Sequence, residues 1–137
     1  TLLSLMGLPV PKEAEGKDLS LCMTDGADNA EPSLMMGTGP TAMFGSGKEW
    51  RAVRDKRFTY AVYRRDRQEF LFDNLNDPFQ KRNLAREREF KVEKERLKAS
   101  MYAKMKEIGD EFNDNLYYMG RWVKHRKIVR TATLNPK

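Results

Sequence analysis

The sequence predicts an α+β fold: a small antiparallel sheet of three to four strands packed against one long C-terminal helix, preceded by a helix end and a long irregular loop. Two observations carry this. Between Trp50 and Leu75, aromatic and β-branched residues alternate with polar ones and are interrupted by short polar turns, the pattern of a meander. Between Leu84 and Phe112, the apolar residues Leu97, Met101, Met105, Ile108 and Phe112 recur at helical spacing.

In chain order, Thr1–Leu8 presents an apolar helical face closed by Gly7 and Pro9. A polar connection with two prolines and Gly16 follows. Residues 23–48 hold five glycines and two prolines without periodicity, so they read as an irregular loop. Leu34, Met35, Met36, Met43 and Phe44 imply that part of this loop packs on something.

Three strands are then expected, in "WRAVRD", "FTYAVYRR" and "QEFLFDNL", with turns at Asp55–Arg57 and Arg65–Arg67. The expected buried face carries Phe58, Tyr60, Val62, Phe70 and Phe72, with Glu69, Leu71 and Asp73 on the other. Asp77–Pro78 breaks the pattern. One helix from Leu84 to Phe112 supplies the cover for the sheet. Residues 113–137 read as a short helix and an extended arm.

Composition sets limits on function. The chain has 137 residues, 39% hydrophobic and 34% charged, enough for one small domain. No apolar run approaches the roughly 18 residues of a membrane span, and the first residues lack the pattern of a signal peptide. The lone cysteine, Cys22, forms no internal disulfide, and a Cys-based zinc site is ruled out. The lone histidine, His125, lies in a basic tail and reads as a surface residue.

The net charge of +6 is concentrated in that tail: residues 113–137 contain six basic residues and one acid. The other 112 residues carry about one net positive charge, which gives no sign of a nucleic-acid-binding domain. A competing reading uses the tail itself. Arg121, Trp122, Lys124, His125, Arg126, Lys127 and Arg130 interleave bases with aromatics as a single-strand binder does.

Two nucleotide-binding patterns fail. "GSGK" ends at Lys48, but a P-loop needs a leading glycine where Ala42 stands and a hydroxyl where Glu49 stands. "GTGPTA" follows no apolar strand. Asp25, Asp28 and Asn29 lack the ligand density of a calcium loop.

Three segments carry a resemblance. "TLLSLMGLPVPKEAEGKDLS" is similar to the sulfatase segment "TLLDLAGLP" and the "P…G-x-D/S-L" that follows it. "WRAVRDKRFTYAVY" resembles that family's "RAVRTxRYKYI", through Arg51–Arg54, Arg57, Phe58 and Tyr60. "EFLFDNLNDPFQKRNLA" resembles "ELYDLxxDPxExxNLA", through Glu69–Asp73, Leu75, Asp77, Pro78 and Asn83–Ala85. In order and spacing, these cover roughly residues 1–112 and make the chain similar to the C-terminal portion of a sulfatase, of the alkaline-phosphatase-like superfamily.

The resemblance implies four parts. Residues 1–22 are a helix end and a connection from an N-terminal catalytic domain, and 23–48 an irregular loop. Residues 49–112 are the C-terminal subdomain and 113–137 a basic aromatic extension. It implies sulfate-ester hydrolysis by the whole enzyme, with a formylglycine from C-x-P/A-S-R and a calcium ion, both expected in the N-terminal part.

Here Thr24, Asp25 and Gly26 follow Cys22 and its Met, so Cys22 is not that nucleophile. No catalytic residue, metal ligand or cofactor is therefore expected in this chain, and by itself it is expected to be inactive. Its partners are expected to be the catalytic domain and, through the whole enzyme, a sulfated small molecule or glycan. Lys48 and Trp50, ahead of and at the start of a strand, are the candidates for the substrate entrance: a cation attracts a polyanionic sugar, and an indole stacks on a ring.

Overall fold

The computed structural model describes residues 1–14, 16–28, 31–37 and 48–117, with the backbone of 123–124 and 127–128. The chain divides into two units, Thr1–Glu31 and Pro32–Lys137.

The first unit contains two short helices, α1 (Leu2–Leu5) and α2 (Ser20–Thr24). α1 gives way to Gly7, whose φ of 67° is the left-handed conformation that glycine adopts without strain. The Leu19 N–H donates to Thr1 Oγ1 at 2.9 Å, tying the ends of the connection together.

The second unit is a four-stranded antiparallel sheet covered by one helix. Strands β1 (Ser33–Gly37), β2 (Trp50–Arg54), β3 (Phe58–Tyr63) and β4 (Glu69–Asp73) lie side by side in chain order. The helix, α3, spans Lys91–Glu107. The α+β class is as the sequence implies. β1 lies inside the stretch expected to be irregular: Leu34 pairs with Val53 and Met36 with Arg51, a register that extends the meander by one strand.

The buried face differs from the expectation. Tyr60 stands opposite Leu71, Phe58 opposite Asp73 and Val62 opposite Glu69. In an antiparallel ladder, opposed residues share a face. The helix-covered face therefore joins Val53, Phe58, Tyr60 and Val62 to Leu71, not to Phe70 and Phe72. Leu97, Met101 and Met105 of α3 close over it, and Tyr60, Leu71, Leu97 and Met101 are fully buried. Phe70 and Phe72 lie half-buried on the opposite face, beside Ala61 and Thr59.

The helix is also shorter than expected. The Leu84 N–H donates to the Leu71 carbonyl, and Asn83 Oδ1 accepts from the N–H groups of Leu71 and Ala85, so residues 83–85 run along the edge of β4. A 3₁₀ turn at Arg88–Phe90 leads into α3. At the other end, Gly109 has φ 68°. Its N–H bonds to the Lys106 carbonyl and that of Asp110 to Met105, a Schellman closure. Ile108 and Phe112 thus fall outside the helix, although Phe112 is still buried. Residues 115–117 form a helical turn, and Val123–Lys124 pairs with Lys127–Ile128 as β5 and β6.

Candidate functional site

Trp50 is the first residue of β2, and Lys48 precedes it by two residues. Trp50 opens the strand, stands opposite Gly37 of β1 and Tyr63 of β3, and is half-buried. Its indole lies directly on Gly37: a Cβ built there would come within 2.6 Å of Cε2 and Cζ2. Only glycine leaves room for the ring in this orientation.

The neighbours of Trp50 are anchored on the other side of the sheet. Glu49 is fully buried, and its Oε1 accepts from the Asn115 N–H at 2.8 Å. Its carbonyl accepts from the Arg64 N–H at 2.9 Å. Arg51 Nη1 donates to the Trp50 carbonyl at 2.9 Å. Residues 49 and 51 therefore fix residue 50 from both sides, while Lys48 is exposed.

The arginines of the "WRAVR" motif have different fates. Arg51 is bound by Asp110 through two hydrogen bonds, Nη2 to Oδ1 at 2.9 Å and Nε to Oδ2, and its guanidinium lies 4.7 Å from the Phe112 ring centroid. The Schellman closure delivers Asp110 to this position. Arg57 pairs with Asp73 (Nη2 to Oδ2, 2.7 Å), and Arg54 is exposed.

Glu69 Oε1 accepts from the Tyr60 hydroxyl at 2.7 Å and from Lys98 at 2.8 Å, and Oε2 from Lys94 at 3.1 Å. Burial alone would raise the Glu69 pKa, but these hydrogen bonds outweigh it and hold the carboxyl at about 2. Burial and then the Glu69 bond push the Tyr60 hydroxyl above its ordinary value. The Arg57 guanidinium holds Asp73 at about 2. These groups bind sheet to helix and turn, and none is poised near neutrality as a proton-transfer group.

The second face of the sheet is aromatic as well as apolar. Tyr63 meets Phe70 edge-on at 5.8 Å, and Phe70 stacks with Phe72 at 6.1 Å. With Trp50 they form a diagonal row from β2 to β4.

Among the described residues, no three His, Cys, Asp or Glu side chains converge where a metal could bind. Cys22 is half-buried in α2, and Asp25 and Asp28 are exposed. Asn29, and in the tail Arg121, Trp122, His125, Arg126 and Arg130, lie outside the described residues. No described helix is long and apolar enough to cross a membrane.

An ulvan-active sulfatase from Formosa agariphila is 34% identical over 123 residues, 89% of this chain and 24% of its own length, at its C-terminal end. The chain belongs to the sulfatase family. It corresponds to the C-terminal part of these enzymes and spans about a quarter of the length of the curated relative it matches. No protein-family model matches the sequence.

Among solved structures, a 2-O GAG sulfatase shares the fold, with a TM-score of 0.62 and 20% identity over 99% of this chain and 28% of that one. A phosphonate monoester hydrolase from Silicibacter pomeroyi shares it too, with a TM-score of 0.56 and 22% identity over 78% of this chain and 24% of that one. Both likenesses are of fold.

Proposed function

We propose that the chain is the C-terminal subdomain of an enzyme that hydrolyses sulfate esters of a polysaccharide, and that it shapes the substrate entrance without supplying the nucleophile. The observation that carries this reading is the 34% identity to the ulvan-active sulfatase across nearly the whole chain.

Sulfatase membership implies a formylglycine and a calcium ion in the full enzyme, where they provide the nucleophile and a hard Lewis acid. Among the described residues, no three His, Cys, Asp or Glu side chains converge on a metal-sized site. We assign this chain binding and positioning, with the catalytic domain of the longer polypeptide as its partner. The half-buried aromatic face around Phe70 and Phe72 suits that partner, because a sheet apolar on both faces is one built to be covered on both.

Trp50 is the residue best built for a substrate contact. Its ring is seated on Gly37 and its backbone is held through Glu49 and Arg51, so little side-chain entropy is lost when a sugar stacks on it. Lys48, exposed two residues away, offers a cation to a sulfate. The test is kinetic, in the longer enzyme. Trp50→Ala and Lys48→Ala should each lower kcat/KM on the polysaccharide by about tenfold, the size of one lost binding contact. Unchanged kcat/KM in both would remove these residues from the entrance.

A further inference from the structure

The turn between β3 and β4 and the C-terminal end of α3 enclose an open cleft of about 1000 Å³. Arg64, Arg65, Arg67 and Lys106 line it, with Tyr102 on one wall. Two carboxylates also line it, Asp110 and Glu111. Asp110 is neutralised by Arg51. Glu111 accepts from the Asn113 side chain at 2.8 Å.

The basic groups are held differently. Arg64 Nε donates to the Phe112 carbonyl at 2.7 Å, which fixes its guanidinium at the cleft wall. Arg67 has φ 55°, an uncommon conformation for a residue with a side chain, and its guanidinium lies 6.0 Å from the Phe112 ring centroid. Arg65, Arg67 and Lys106 are exposed and enter no ion pair among the described residues.

Arg67 also lines a second cleft, with Arg86, Arg88 and Lys91. The acids there are mostly satisfied by other bases: Glu69 by Lys94 and Lys98, and Glu87 by Arg82. Asp66 accepts from the Gln68 N–H. The two clefts therefore meet at Arg67 and give a track of bases, with Arg65 and Lys106 exposed on one side of it and Arg86, Arg88 and Lys91 on the other. The Arg64 N–H to Glu49 carbonyl bond places its start at the same end of the sheet as Lys48 and Trp50.

We propose that this track is a second binding site, outside the entrance, for the sulfate groups of a polysaccharide chain. Successive cations suit a polymer that carries an anion on successive sugars. The Tyr102 ring, 40% exposed beside them, offers an apolar face to a sugar. The proposal rests on the reading that the substrate is a sulfated polysaccharide, and it assigns this cleft the task of holding the polymer while an ester is cleaved elsewhere.

The experiment uses the 137-residue chain, with ulvan as the probe in titration calorimetry at low and at physiological salt. A cleft variant (Arg65→Ala, Arg67→Ala, Lys106→Ala) is compared with a control that loses the same charge elsewhere (Lys12→Ala, Arg54→Ala, Lys81→Ala), both checked for folding by circular dichroism. The expected result is about tenfold weaker binding by the cleft variant, less than twofold by the control, and none to chemically desulfated ulvan.

Equal losses in both variants, no loss in either, or an equal cleft-dependent affinity for single-stranded DNA would overturn the proposal. The assay reads binding without hydrolysis. A negative result leaves the sulfatase reading intact, and an inactive longer enzyme leaves this result intact.

Discussion

The indole of Trp50 rests on Gly37, its partner across the β1–β2 ladder, so closely that a single added carbon would sit 2.6 Å from the ring. A residue from the glycine-rich stretch thereby sets the orientation of the best candidate for substrate contact.

Gly37→Ala should therefore displace the ring rather than merely stiffen the strand. A destabilisation of about 1–3 kcal/mol is expected, as for other overpacked sites. Urea unfolding measures it. A Trp122→Phe background isolates the fluorescence of Trp50, whose maximum should shift to the red.

Arg51 and Asp110 form a buried pair, 4% and 3% exposed. Arg51→Met leaves the Asp110 carboxylate buried without its partner and should destabilise by about 3–5 kcal/mol. Adding Asp110→Leu should recover much of that loss, because two apolar side chains leave no charge stranded. Equilibrium unfolding of the single and double variants checks both statements.

Stability should fall in acid. Glu69 and Asp73 have folded pKa values of about 2, depressed from ordinary values of 4.5 and 3.8. A depressed carboxylate contributes stability that is fully present above its unfolded pKa and is lost as pH falls through the folded one. Melting temperature should thus decline from about pH 5 towards pH 2. Glu69→Gln and Asp73→Asn should each flatten that decline while lowering the plateau above pH 5.

The class of the fold, strands β2 to β4 and the helix stripe from Leu97 to Met105 were legible because each is a local periodicity. The phase of β4 was not. Glu69 and Asp73 read as a solvent-facing pair around Leu71, whereas the fold turns them inward. The cations that make this tolerable, Lys94 and Lys98 for Glu69, lie 25 and 29 residues along the chain. Arg57, the partner of Asp73, is 16 residues away.

The helix boundary was hidden for a related reason. "NLARERE" suits a helix, but the Asn83 side chain and the Leu84 N–H are bound to β4 instead. Lys48 and Trp50 stand as candidates on the resemblance alone. The seat on Gly37, the Glu49 anchor and the basic cleft were not legible, since each depends on which residues the register brings together.

The most direct test of the central claim is to express this chain continuous with its upstream coding sequence and measure inorganic sulfate released from ulvan. The expected result is sulfate release that requires an upstream C-x-P/A-S-R cysteine or serine and is unaffected by Cys22→Ala. Absence of that motif upstream, or release that depends on Cys22, would contradict it.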